Sequence, residues 1–384
     1  MVPPSKAAVV GIGISRPSPR GGLRLRIAAL LSALALAPLT GADAGAWPGR
    51  SRTAGPPDPG PLAPRHLALV INRSDPLSET IGHHYARARH LPAANVIRVA
   101  FPADRSALDP ALFRALRREV LQRTPATVQV YALAWARPYR VGCQSITSAF
   151  AHGLDRAHRC GGRCGASEMN PYFARGEVRR PWSELGLRPT MMLAATSADQ
   201  ARRLIDRGVA ADGSRPPGTA YLLSTSDPLR NVRAARFREI ADSLPRWFQV
   251  RRLQSDNLRG AEDVMAYFTG LAVVPDLRSN RFRPGAVGDH LTSLGGQLTD
   301  SSQMSVLRWL EAGATGSYGT VSEPCNHTLK FPDPGLLLTY YLRGDTLIEA
   351  YWRSVAMPSQ GVFVGEPLAR PWSGAHRRPG QGRR

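Results

Sequence analysis

The sequence has almost no lysine, few aromatic residues and no long apolar run. Only Lys6 and Lys330 are lysines, yet the 384 residues hold 50 Lys and Arg against 29 Asp and Glu, a net charge of +21. No apolar run reaches about 18 residues, which excludes a polytopic membrane protein. Hydrophobic residues make up 43% of the chain, too many for a disordered protein. Its length suffices for one large α/β domain or two ordinary domains.

The arginine excess is spread along the chain rather than concentrated in one segment. Arg87, Arg117 and Arg202, for example, fall on the outer faces of predicted helices. Nucleic-acid binders usually collect their charge in a patch interleaved with aromatic residues, and aromatic residues are only 7% of this chain. The pattern therefore predicts a solvated basic surface and no nucleic-acid partner.

Residues 1–44 have the pattern of a cleavable export signal. Basic residues precede the apolar stretch Ile27–Ala37, which is too short to span a bilayer but has the length of a signal-peptide core. Ala42-Asp43-Ala44 then provides a small-x-small cleavage site, so the mature chain is expected to begin near Gly45. The alternatives are an uncleaved anchor or a wrongly assigned start codon. We expect a periplasmic or secreted protein that is not an integral membrane protein.

Four cysteines are present, and export makes disulfides their expected state. A bond from Cys143 to Cys160 or to Cys164 is the favoured pairing, and the three possible connectivities that include Cys325 stay open. A zinc site at Cys160 and Cys164 is less favoured because no second paired-ligand motif accompanies them. No metal and no cofactor are therefore expected.

Apolar runs alternate with helical patterns and predict one α/β domain over residues 66–372. A linker (45–65) precedes it, a surface insertion (about 142–188) interrupts it, and a basic disordered tail (373–384) follows it. Asp75-Pro76 and Asp109-Pro110 are helix starts between predicted strands, so the order is strand, helix, strand, helix, strand. Later predicted elements are a strand at Thr219–Ser224 and three helices capped by Ser197, by Asp300 with Gln303 and by Thr346 with Glu349, of which the first ends at Gly208 and the second at Gly313. This order predicts a doubly wound, mostly parallel sheet.

Ligands of open α/β sheets bind beyond the carboxyl ends of the strands, which gives a list of candidate binding residues. The candidates follow the predicted strands and are Asn72, Asp75, Asp227, Asp289, Thr292, Ser322 and Glu323. Asp75 and Asp227 are also the expected N-caps of the helices that follow them.

His290 and Cys325 are the candidate catalytic pair. They follow strands that one crossover separates, and an imidazole beside a thiol can generate a thiolate nucleophile. Glu323 or Asp289 would orient the imidazole. The alternative is that Asp289 and His290 are a loop pair whose hydrogen bonds are already satisfied, and that Cys325 is disulfide-bonded or inert.

Four short motifs resemble the C-terminal half of gingipain-like cysteine peptidases, which have a caspase-like fold. They are Val264–Gly270, Pro284–His290, Gly313–Gly319 and Val362–Leu368. The resemblance covers about residues 262–370 and implies a catalytic histidine after the first motif and a catalytic cysteine at the end of the next strand. Leu271 stands at the first of these positions and Asp289-His290 at the second. Neither the catalytic histidine nor the catalytic cysteine therefore occurs at its matched position.

A second resemblance covers most of the mature chain. The motifs Asn170–Phe173, Tyr221–Ser226, Asp289–Ser293 and Gly365–Leu368 are similar to a family of exported bacterial proteins of unassigned function. This resemblance implies a fold and no activity.

Three functional hypotheses follow. The favoured one is a caspase-like scaffold without the standard peptidase pair, which binds a peptide or a glycan at its strand ends. The second is a hydrolase that uses a relocated pair, His290 with Cys325 or with Ser322. The third is a basic protein that associates with acidic polymers of the cell envelope.

Overall fold

The structure is a computed structural model that describes residues 60–154 and 165–374. The predicted export signal, most of the linker and all but the first two residues of the tail lie outside the described residues, as do Cys160 and Cys164. The described segments fall within one compact unit. No helix in them is long and apolar enough to cross a membrane.

The strands of the described segments form one large sheet and one small sheet. In chain order they are β1 (Leu67–Asn72), β2 (Val96–Val99), β3 (Ala107–Leu108), β4 (Val130–Leu133), β5 (Arg140–Val141), β6 (Gln144–Ser145), β7 (Thr190–Met192), β8 (Thr219–Ser224), β9 (Gln249–Gln254), β10 (Val264–Thr269), β11 (Phe282–His290), β12 (Gly316–Thr320) and β13 (Gly361–Gly365). The short strands β3, β5 and β6 make the small sheet.

The helices connect these strands and cover both faces of the large sheet. They are α1 (Pro76–Ala88), α2 (Pro110–Arg123), α3 (Ile146–His152), α4 (Pro181–Leu185), α5 (Ala198–Ala211), α6 (Phe237–Ser243), α7 (Leu307–Ala312), α8 (Pro334–Leu342) and α9 (Leu347–Ser354). Short 3-10 turns occur at Pro64–His66, Ala93–Asn95, Asn231–Arg236, Leu277–Ser279, Thr328–Lys330 and Pro358–Gln360.

The large sheet has ten strands in the order β2-β1-β4-β7-β13-β12-β11-β10-β8-β9. The pairs from β2 to β7 and from β12 to β9 are parallel. Strand β13 lies between these two groups, antiparallel to β12 over five residue pairs and joined to β7 at one pair, Val364 with Met192. The predicted mixed α/β fold with a mostly parallel sheet is confirmed.

Two apolar clusters fill the layers between the sheet and its helices. Ile81, Ile205 and Leu337 from α1, α5 and α8 belong to the cluster on one face. Phe113 and Trp309 from α2 and α7 belong to the cluster on the opposite face. Since both faces are covered by helices, the inner strands are buried at nearly every position rather than alternating, as parallel strands require. This is the doubly wound arrangement that the sequence predicts. The outermost strand β9 is mostly exposed.

Local capping explains why several helices begin where the sequence predicts. The carboxylates of Asp75 and Asp109 accept backbone hydrogen bonds in the first turns of α1 and α2, and a proline follows each cap. Ser197 caps α5, and Thr346 forms a capping box with Glu349 at α9. One predicted end is wrong, because α5 continues past Gly208 to Ala211.

The predicted helix start at Asp300 is also wrong. Helix α7 begins at Leu307, because Asp300 accepts a hydrogen bond from the Tyr139 hydroxyl and Gln303 accepts one from the Leu294 N–H. Gly313, with a φ of 119°, ends the helix as expected.

The segment predicted as a surface insertion is in part core structure. Helix α3 follows its N-cap Ser145, and Ile146, Ala149 and Phe150 are buried in the apolar cluster beside α2. The sequence around the glycines of this segment has no helical periodicity, so the buried helix α3 was not predicted. The remainder of the segment includes the short helix α4 and residues 155–164, which lie outside the described part of the chain.

Candidate functional site

The loop that follows β11 joins the ends of several strands into one rim. The Thr292 hydroxyl accepts a hydrogen bond from Arg230 Nε, 3.0 Å away, in the loop that follows β8. The Thr320 hydroxyl, at the end of β12, donates to the Ser293 carbonyl at 2.7 Å. Thr299, later in the same loop, lies beside Ser74 and Asp75 after β1. The strand-end loops therefore meet at one rim, as the strand-end rule requires.

A cleft of about 400 Å³ opens at this rim, beyond β1, β4 and β7. Its polar lining comes from five separate loops and consists of Ser74, Asp75, Asp104, Arg137, Thr196 and Thr299. Leucine, proline and alanine side chains supply the rest of the wall, and no aromatic side chain lines it. The volume falls in the range of small-molecule and peptide-side-chain pockets.

Two charged groups of the cleft are unpaired in the described part of the chain. Arg137 and Asp104 are exposed, and neither side chain makes an ion pair or a hydrogen bond with another described residue. Asp75 uses one carboxylate oxygen on the Leu77 N–H, at 2.9 Å, to cap α1. The cleft thus presents a cation and carboxylate oxygens that a polar ligand can engage without breaking a protein contact.

Two predicted binding residues, Asn72 and Asp227, make contacts that stabilise loops. Asn72 is fully buried, donates to the Phe101 carbonyl at 3.0 Å and accepts from the Phe101 N–H at 3.2 Å. Asp227 accepts from the Leu229 N–H and pairs with Arg230 at 2.7 Å. Burial opposes ionisation of Asp227, but its hydrogen bonds with Arg230 lower its pKa. Both residues stabilise the loops of the rim, and a role for either in ligand binding stays a prediction.

Asp289 forms a buried ion pair. Its carboxylate is fully buried, and Oδ1 lies 2.6 Å from Nη2 of Arg233. No other donor of the described residues reaches either carboxylate oxygen. Burial raises the pKa of Asp289, and the Arg233 charge opposes that rise. Arg233 also donates to the carbonyls of Thr269 and Pro332, so the pair joins β10, β11 and the segment before α8.

His290 is a core histidine with both ring nitrogens engaged. The Trp309 indole N–H donates to its Nδ1 at 2.9 Å, and its Nε2 lies 3.0 Å from the Met304 carbonyl. An indole nitrogen can only donate, so the proton of the imidazole must be on Nε2. The ring is 1% exposed, and burial lowers its pKa to about 4. His290 therefore has no free lone pair with which to act as a general base.

Ser322, Glu323 and Cys325 are held by contacts of the loop after β12. The Ser322 hydroxyl donates to the Cys143 carbonyl at 2.7 Å, and Glu323 accepts from the Cys325 N–H at 2.7 Å. Neither Cys143 nor Cys325 is a free thiol in the structure. The partners predicted for Cys143 lie outside the described residues, so that pairing stays a prediction.

The contacts of His290, Cys325 and Ser322 do not favour a relocated catalytic pair. A dyad needs a thiolate and an imidazole lone pair within reach of each other. Cys325 offers no thiol, and the lone pair of His290 is taken by Trp309. The Ser322 hydroxyl is already committed to the Cys143 carbonyl. The pairing of His290 with Cys325 or Ser322 stays a prediction, and these contacts weigh against it.

Thiol labelling tests this conclusion on Cys325. Under non-reducing conditions we expect native protein treated with a maleimide to carry no label on Cys325, because only a free thiolate reacts. After reduction and unfolding the same residue should be labelled, which serves as the positive control. The readout is the mass of the peptide that contains Cys325. Rapid labelling of Cys325 in the native protein would restore the cysteine nucleophile as a candidate.

Several residues of the cleft and of its surroundings were not predicted from the sequence. Arg137 and Thr196 follow strands β4 and β7, so the strand-end rule applied to those strands would have found them. Asp104 and Thr299 lie inside long loops, where no local pattern marks them. Arg233 and Trp309 are identified only by their contacts with Asp289 and His290. Among the described residues no group of three or more metal-ligating side chains comes together.

Fold and site together define an α/β protein with a polar strand-end cleft. No family model and no curated protein matches the chain. Among solved structures it is similar to one described as a protease, with 11% identity, a TM-score of 0.42 and coverage of 80% of this chain and 78% of the other. It is also similar to the Arg-specific cysteine proteinase gingipain R, with 8% identity, a TM-score of 0.43 and the same coverage.

A third similar structure is the complex of the pro- and mature domains of a gingipain from Porphyromonas gingivalis. Its identity is 7%, its TM-score is 0.40, and 79% of each chain is covered. A likeness at this level says nothing about chemistry, which depends on the side chains that are present.

Proposed function

We propose that this protein is an exported scaffold that binds a peptide in the strand-end cleft and does not cleave it. The cleft carries the proposal, because it combines a volume of about 400 Å³ with an unpaired Arg137 and an unpaired Asp104. Both groups can bind a ligand without losing an existing partner in the described part of the chain. The engaged ring of His290 supports binding without turnover.

A peptide fits this cleft better than a glycan does. Sugar rings bind well where an aromatic face covers their apolar side, and none of the cleft's lining side chains is aromatic. A peptide instead offers carbonyl oxygens and carboxylates to Arg137, amide N–H groups to Asp75 and Asp104, and small apolar side chains to the alanine and leucine walls. The hydroxyls of Ser74 and Thr299 add neutral hydrogen-bonding groups.

Peptide capture with matched variants tests the proposal. Immobilised protein is incubated with a random peptide library, and the retained peptides are identified and resynthesised for affinity measurements. Arg137→Ala should weaken their binding by about tenfold or more, the effect of losing a charged hydrogen bond. Arg105→Ala removes an exposed arginine close by that does not line the cleft, and it should leave binding unchanged. Equal affinities for the wild type and Arg137→Ala, or no retained peptide, would reject the cleft as the site.

A further inference from the structure

The two outermost strands of the large sheet differ in whether the rest of the protein bonds to the outward backbone groups of their free edges. Strand β2 forms one end of the sheet, and there Arg123 Nη1 donates to the outward Arg98 carbonyl at 2.5 Å. Strand β9 forms the other end and pairs only with β8. No described residue lies against the outer edge of β9 as a strand. An open edge of this kind is a template for an additional strand.

The backbone register shows which groups of β9 face outward. The Ser255 N–H bonds the Ser224 carbonyl of β8 at 2.9 Å, so the backbone of Ser255 points inward. Because successive residues of a strand point to opposite sides, the N–H and C=O of Gln254, Arg252 and Val250 point away from β8. In the described residues none of these groups has a hydrogen-bond partner. Three donors and three acceptors are thus available along one edge.

The side chains along this edge are basic. Arg251 and Arg252 of β9 are both exposed, and Arg246 is exposed just before the strand. Arg246 and Arg252 form no ion pair with another described residue. Trp247, two residues before the strand, is 62% exposed. A negatively charged strand would therefore gain both main-chain hydrogen bonds and ion pairs at this edge.

We propose that the β9 edge binds an extended acidic segment of a partner protein as an added strand. Main-chain hydrogen bonds to Val250, Arg252 and Gln254 supply affinity, and the arginines select for carboxylates. A second copy of this chain is disfavoured, because pairing two β9 edges would place Arg251 and Arg252 of both copies together. The proposal is independent of the strand-end cleft, which is lined by other residues.

Fluorescence anisotropy with a labelled peptide tests this proposal on the intact protein. The probe alternates Glu with Val and Thr over about nine residues, the length of a long strand, and its control has Gln in place of each Glu. Gln254→Pro removes an outward N–H but no inward bond, since proline is tolerated on the free side of an edge strand. Gln254→Ala is its matched control. The double substitution Arg251→Glu with Arg252→Glu tests the charge.

We expect the Glu probe to bind the wild type and the Gln probe to bind at least about fivefold more weakly. Gln254→Pro should weaken binding by about fivefold to tenfold, and Gln254→Ala should not. The double charge reversal should abolish binding and keep the unfolding temperature, so it stays informative if the proline variant misfolds. Absence of binding to the Glu probe, equal binding of both probes, or concentration-dependent dimerisation that both variants remove would overturn the proposal.

Discussion

Asp289→Asn is expected to lower the free energy of unfolding by about 3–5 kcal/mol, the usual cost of breaking a buried ion pair. The substitution keeps the shape of the side chain but leaves the Arg233 charge buried without its counter-ion. Arg233 is 6% exposed and cannot turn to water without giving up its bonds to the Thr269 and Pro332 carbonyls. Urea unfolding at pH 7, followed by circular dichroism, gives the difference.

An exposed ion pair provides the control for this substitution. Glu262 and Arg281 lie 3.1 Å apart, with 68% and 78% of their side chains exposed. Glu262→Gln should therefore cost less than about 1 kcal/mol. The double variant Asp289→Leu with Arg233→Met removes both charges and should be more stable than Asp289→Asn. A cost below about 1 kcal/mol for Asp289→Asn would mean that the ion pair contributes little to the fold.

Lowering the pH from 7 to 4 is expected to cost about 3 kcal/mol of stability through His290 alone. Its pKa in the folded protein is about 4, whereas an unfolded histidine titrates near about 6.5. The unfolded chain therefore binds more protons in this range, and stability is lost as the pH falls toward 4. Burial is the main cause, and protonation of Nδ1 would also break its bond from Trp309.

His290→Gln separates this effect from the titration of the carboxylates. A glutamine amide can accept from Trp309 and donate to the Met304 carbonyl, but it does not titrate. Unfolding free energies of the wild type and of His290→Gln are compared between pH 7 and pH 4. We expect the wild type to lose about 3 kcal/mol more than the variant across this range. Parallel pH curves would show that folding does not lower the pKa of His290.

Helix starts and strand positions were predictable because they depend on residues close together in the chain. Asp109-Pro110 specifies the start of α2 by itself, and Thr346 with Glu349 specifies that of α9. The buried run at Thr219–Ser224 is a strand with those same bounds. Parallel topology then follows from the alternation of such elements.

The roles of Asp289 and His290 could not be predicted, because they depend on distant partners. Asp289 is paired with a residue 56 positions earlier (289 − 233), and the tautomer of His290 is set by Trp309, 19 positions later. A sequence shows that an acid and an imidazole follow a strand but not whether their polar atoms are already used. The cleft was missed for the same reason, since loops far apart in sequence supply its charges.

Cleavage of captured peptides is the most direct measure of the central claim, that the strand-end cleft binds a peptide and leaves it intact. The protein is incubated with a peptide library, and mass spectrometry compares the termini of all peptides before and after. We expect unchanged peptides, a subset of which is retained through Arg137. New termini that the wild type generates, and that Cys325→Ala or His290→Gln fails to generate, would contradict the account.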